Sequence, residues 1–185
     1  ALALCGRDAN RAHTLRQQHH IFIEGANRVA HALVEVLSAA HVGSLQVRGQ
    51  HVARRLVTLR DVSNFGPTAD DVGLPPSIAM RRHIERTMGK RSSGPRRPLV
   101  LLCDSHSDPA DEVAFNRQAS PIDATFAMWV ASETASRLLH IIDTDDPSSL
   151  VNTTLHFDRA DATIRRRQWR VHPDCPCQWN GNSTK

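Results

Sequence analysis

Tyrosine is absent from this 185-residue chain, and Phe and Trp bring the aromatic share to only 4%. Proteins that grip single-stranded nucleic acid set aromatic rings among their cations as stacking surfaces. Here the basic pairs Arg54-Arg55, Arg81-Arg82 and Arg96-Arg97 are scattered, and the one longer run, Arg165-Arg166-Arg167, lacks such interleaving. The excess of 23 Lys and Arg over 19 Asp and Glu, with a pI near 9.3, is therefore read without a nucleic-acid partner. Long apolar runs are lacking too. No segment approaches the roughly 18 uncharged residues of a membrane helix, and Ala1 opens no basic-then-apolar signal pattern, so a cytoplasmic protein without membrane contact is expected. Four cysteines with a single close pair make no disulfide framework, and a Gly-x-Ser-x-Gly nucleophile elbow is missing.

What remains is globular composition, 40% hydrophobic and 23% charged, in a length that suits one domain. Residues 1–20 are polar and read as a frayed lead-in or as the last helix of something earlier. Ile21-Phe22-Ile23-Glu24 reads as a strand broken by Gly25, and Val29, Leu33, Val36, Leu37 and Ala40 then recur at helical spacing. Ser44 to Arg48 offers a second strand, which completes a βαβ unit of the size a parallel crossover needs. His51 to Leu59 is compatible with a further strand. Asp61 to Pro76, punctuated by Gly66, Pro67, Gly73, Pro75 and Pro76, reads as a surface loop. A short helix follows over Ser77–Met88, then a basic connector, Gly89 to Pro98. The apolar run Leu99-Val100-Leu101-Leu102-Cys103 has the character of a strand covered on both faces. After a turn-prone stretch with a short helix over Pro109–Asn116, Phe126, Val130, Ala131, Thr134, Leu138, Ile141 and Ile142 mark a long buried helix within 123–142. Alternation at Val151–Phe157 and Ile164–Val171 predicts a C-terminal β-hairpin. The fold class is α/β, a Rossmann-like and mainly parallel sheet with flanking helices and that hairpin. The domain runs over 21–178 and a polar tail over 179–185.

Chemistry has two natural places in such a fold. One is the glycine turn Gly25-Ala26-Asn27-Arg28, because a helix N-terminus presents unpaired N–H groups and partial positive charge to a phosphate. Against Gly-x-Gly-x-x-Gly only the first glycine is present; Asn27 and Ala30 hold the other places, and a turn that binds nothing is the competing reading. The other place is Asp104, at the end of the apolar strand, where a carboxylate faces the crevice outside the sheet and can hold Mg²⁺ beside nucleotide phosphates. An aspartate that ends a strand or caps the next helix fits the same pattern. Cys175 and Cys177 supply half of a zinc set, with only Cys5 and Cys103 to complete it, so zinc is not expected.

Several segments in order, IFIEGANRVAHALVEVLSAAHVGSLQV from Ile21, the loop DVSNFGPTADDVGLPPSIAMR from Asp61, LVLLCDS from Leu99, DATFAMWVASETASRLL from Asp123 and IRRRQWRVHPDCPC from Ile164, resemble the ThiF-type adenylation family. That family includes activators of ubiquitin-like sulfur carriers. The chain is most similar to its actinobacterial branch linked to bacteriocin and azole-forming cyclodehydratase systems, in a degenerate and shortened form. The resemblance covers most of residues 20 to 178. It implies ATP at the glycine turn, Mg²⁺ on Asp104, adenylation of a C-terminal carboxylate, and a partner that is a peptide or small carrier protein together with a modifying enzyme. It is compatible with a homodimer, and in inactive members with a small peptide-binding module upstream of Ala1.

Set against the family pattern, Gly66 and Pro67 follow Ser63-Asn64-Phe65 where a catalytic arginine belongs. Pro76 replaces the phosphate-binding lysine after Gly73-Leu74-Pro75, Arg48 replaces the ribose acid, and a second cysteine pair is missing between Ile122 and Asp123. Adenylation develops charge on transferring phosphoryl oxygens, and a site without its cations loses most of that stabilisation. The expected function is thus a ThiF-like domain with weak or lost adenylation, acting as a scaffold for a peptide or partner in modification of a ribosomal peptide. The alternative is an active ATP-dependent adenylyltransferase that acts on a ubiquitin-like or peptide carboxylate, with Arg28, Arg81 and Arg82 supplying cations from other positions.

Overall fold

The structure is a computed structural model that describes residues 9–48, 56–89, 97–102, 123–146, 153–158 and 160–170. The chain divides into two compact units, Ala1–Asp145 and Asp146–Lys185.

In the first unit, alternation places Ile21 and Ile23 at zero exposure in β1 (His19–Glu24). Strand β1 lies between β2 (Ser44–Arg48) and β3 (Arg97–Leu102), parallel to both, with Ile21 opposite Leu45 on one side and Leu99 on the other. The strand expected at 99–103 is therefore present and begins two residues earlier, at Arg97, while Cys103 lies outside the described residues.

Between β1 and β2 runs α2 (Arg28–Ala39), whose Ala30, Leu33, Val34 and Leu37 form a buried stripe at helical spacing. Helix α3 (Pro76–Met88) starts on proline, whose missing N–H costs nothing at that position. Helix α4 (Ala124–Thr144) is capped by Asp123, whose carboxylate accepts from the Phe126 amide at 2.7 Å. Its buried stripe is Ala127, Ala131, Ala135, Leu138 and Ile142. Phe126, Val130, Thr134 and Ile141, expected in that stripe, are only half-buried. The physical reason is close approach: α4 packs along α2, and alanines let the two backbones come together where larger side chains would hold them apart. Among the described residues no helix is long and apolar enough to cross a membrane.

One open alternative is decided by the structure and one region differs from the sequence reading. Of the two readings of the polar lead-in, the helix holds for α1 (Ala9–Gln17), whose face is only weakly apolar. It is held from outside: the Gly43 amide donates to the Arg16 carbonyl at 2.9 Å, and Arg16 pairs with Asp143 near the end of α4. The segment 56–59, the described part of the strand considered at His51–Leu59, is irregular. Val57 exchanges backbone hydrogen bonds with Gly73 and Leu74, and Asp61 draws the chain into a turn by accepting from the Thr58 amide and hydroxyl.

The second unit contains the expected hairpin, β4 (Thr153–Asp158) antiparallel to β5 (Thr163–Gln168), in register from Thr153–Gln168 to Asp158–Thr163. Leu155, Phe157 and Ile164 share its half-buried face. Asp158 and Asp161 shape the turn by accepting from the Ala160 and Thr163 amides.

Candidate functional site

The strand order β2-β1-β3 reverses direction at β1: one crossover places β2 on one side, and the next returns the chain to place β3 on the other. Open parallel sheets hold ligands in the crevice outside the carboxyl ends of strands at such a switch point. Gly25 stands there, directly after β1, buried and with φ at 114°, a backbone conformation that residues with a Cβ avoid. Ala26 is half-buried beside it.

Asn27 and Arg28 already have protein partners. Asn27 is the N-cap of α2, and its Oδ1 accepts from the Ala30 amide at 2.9 Å, one of the donors that a helix N-terminus would otherwise turn toward an anion. Arg28 donates from Nη2 to the Arg60 carbonyl at 2.6 Å, tying the start of α2 to the loop that follows β2. Asp104 and Cys175 to Cys177 lie outside the described residues. Among those described, no group of three His, Cys, Asp or Glu residues is placed to hold a metal ion.

The loop read as a surface loop from Asp61 to Pro76 is instead fastened into the protein. Asp71, in a single 3₁₀ turn (Ala69–Asp71), has no exposed surface. Its Oδ2 accepts from the Thr68 amide at 2.9 Å and hydroxyl at 3.1 Å and from Arg86 Nη2 at 2.9 Å, while Arg82 Nη1 stands 3.6 Å from its Oδ1. Burial would push this carboxyl up, but the bonds from Thr68 and Arg86 outweigh it and hold the pKa at about 2. Arg82 and Arg86 thus spend charge on a buried aspartate of their own chain. Gly66 and Pro67, where the family pattern has an arginine, are buried, and Pro76, where it has a lysine, opens α3.

A cluster that motif reading did not find lies beneath this loop. His31 of α2 and His83 of α3 are both buried, with ring centroids 5.0 Å apart. The Gly66 carbonyl lies 3.1 Å from His83 Nδ1, and since a carbonyl only accepts, this nitrogen carries the proton. On the other side of the ring, Glu35 Oε1 is 3.0 Å from Nε2 but out of line for a hydrogen bond. His31 Nδ1 is buried without a partner. Burial first, then the proximity of His83 and Arg86, pushes the His31 imidazole down to about 3, against the weaker pull of Asp71 and Asp61. It is a neutral ring at ordinary pH. The available signal was the 3.6-residue period, which places His31 on the same face as Val34 and His83 beside Met80; whether they meet depends on how the helices pack. A small pocket of about 20 Å³, the room of a water molecule, lies beside His31, with Arg28, Ser63, Phe65, Gly66 and Ala127 among its walls.

A small parallel sheet with its switch point at a glycine turn, flanked by helices, defines an α/β class, and within it the fold is ThiF-like. The chain is similar in structure to E. coli MccB, as seen in its crystal structure with AMPCPP and selenomethionine-substituted MccA. The TM-score is 0.62, the sequence identity 10%, and the match covers 89% of this chain and 67% of that one. At that identity the likeness is one of fold. No protein-family profile and no curated protein matches the chain in sequence.

Proposed function

We propose that this chain is a ThiF-like domain in which adenylation is weak or lost, and that it acts as a scaffold holding a peptide or partner protein during modification of a ribosomal peptide by a cyclodehydratase-type enzyme. The structure of MccB, with both AMPCPP and MccA, is a precedent for one fold that meets a nucleotide and a second molecule. One observation carries the loss of chemistry: the two polar residues that follow Gly25 and Ala26 at the switch point, and two arginines of α3, already have partners within the chain. Asn27 caps α2, Arg28 holds the Arg60 carbonyl, and Arg82 and Arg86 face Asp71. Phosphoryl transfer needs cations aimed at the oxygens where charge develops. The described residues present no such set for a triphosphate, so no chemical step is drawn through ATP or Mg²⁺.

The test is thermal denaturation with and without millimolar ATP and Mg²⁺, followed by ATP–pyrophosphate exchange with a C-terminal carboxylate peptide. A ligand at 100 times its Kd stabilises by about 2.7 kcal/mol, so binding would raise the melting temperature by several degrees. The expected result is no shift and no exchange. Exchange above background would establish the adenylyltransferase reading in its place.

A further inference from the structure

We infer that the exposed face of the C-terminal hairpin is a docking surface for an acidic, extended peptide segment. The inference stands on the second unit alone and does not depend on nucleotide binding in the first.

Residues 153–170 carry five arginines against two aspartates, which leaves +3 in a short ribbon of a chain whose whole formal charge is +4. The ladder divides these charges: Arg166 stands opposite Leu155 on the half-buried face, and Arg165, Arg167 and Asp158 lie on the other. Leu155, Phe157 and Ile164 turn to the half-buried face, whereas the opposite face presents the cross-strand pairs Thr154–Arg167 and His156–Arg165, all four exposed, followed by Trp169 at 46% exposure. Large exposed aromatics beside arginines are the commonest anchors of protein interfaces. Trp169 is held for such use. Its Nε1 donates to Thr154 Oγ1 at 2.7 Å, and the Arg167 guanidinium stacks 3.9 Å from its ring centroid.

The face also shows which chemistry suits it. At the turn end, Arg165 lies 3.7 Å from a carboxylate oxygen of Asp158 and 3.6 Å from one of Asp161. Toward the other end, Arg167 has no carboxylate partner among the described residues, so an acidic side chain from outside would find there what Asp158 and Asp161 find in Arg165. Alternate residues of a strand lie about 6.6 Å apart, the same spacing as the alternate side chains of an extended peptide. A single-stranded nucleic acid suits the face less well: it uses successive aromatic platforms, and here there is one ring with a guanidinium already over it.

The experiment uses the full chain and three fluorescein-labelled decamers at low salt: alternating Glu-Val, alternating Lys-Val, and oligouridylate. Fluorescence anisotropy is expected to show binding of the Glu-Val peptide only, weakening as salt rises. The R165E/R167E variant should weaken it at least 10-fold. R11E/R60E, the same change in net charge on exposed arginines of the first unit, should leave it within 2-fold. If the charge reversal disturbs folding, as judged by circular dichroism and melting temperature, R165Q/R167Q and W169A replace it, each expected to weaken binding several-fold. No binding of the Glu-Val peptide, equal loss in R11E/R60E, or tighter binding of oligouridylate would each overturn the proposal.

Discussion

Arg86 Nη2 donates at 2.9 Å to a carboxylate of Asp71 that has no exposed surface, so the loop after β2 is fastened to the outer side of α3 by a charge that cannot reach water. Taking a carboxylate out of solvent is tolerated only when its oxygens are filled with donors, and Thr68 and Arg86 fill them. Replacement of Asp71 by Ala leaves those donors without an acceptor and should cost about 3 kcal/mol in urea unfolding. Arg86→Ala should cost less, about 1 to 2 kcal/mol, because the arginine side chain is 41% exposed and its charge is screened by water.

His31 should make the protein sensitive to acid. Its folded pKa, about 3, lies below the unfolded value of 6.5, so between these limits the unfolded chain binds a proton that the folded chain refuses. Stability should therefore fall as pH drops from 6.5 toward 3, by about 1.4 kcal/mol per pH unit for this one group. Asp71, held at about 2 against 3.8, has the same sign but acts only below pH 4, so the range from 4 to 6.5 reports on His31. Urea unfolding across that range, compared with the H31F variant, should show a shallower pH slope in the variant.

Gly43 allows the backbones of two elements to meet. A Cβ at this position would lie 2.0 Å from the Gln17 carbonyl oxygen and 2.8 Å from that of His19, both backbone atoms that cannot rotate away. Gly43→Ala should cost about 3 kcal/mol by overpacking, and protection of the α1 amides in hydrogen exchange should drop along with the global stability.

The lead-in helix is also held by Arg16, which reaches Asp143 through Nε at 2.9 Å and Nη2 at 2.5 Å, a two-pronged pair that is mostly shielded from water. A double-mutant cycle with R16A and D143A should give a coupling of about 1 kcal/mol or more, larger than typical surface pairs. A coupling near zero would show that α1 is held by its backbone contacts alone.

Local pattern was enough to indicate most of the elements of this protein. The alternation of β1, the helical period of α2 and Ser44–Arg48 as β2 all follow from properties of neighbouring residues, so the βαβ opening and the hairpin could be read in advance. What only the tertiary structure decided are relationships between distant residues. Asp61 to Pro76 has the composition of a surface loop, yet Asp71 is buried because Arg82 and Arg86 approach from α3. His31 and His83 look like ordinary helical residues until packing brings their rings to 5.0 Å. The polar stretch before β1 became a helix because Arg16 found Asp143, 127 residues away, and Gly43 let the backbones meet. Periodicity records which way a side chain points on its own element; burial and partnership depend on which element arrives opposite, and this is a property of the packed chain as a whole.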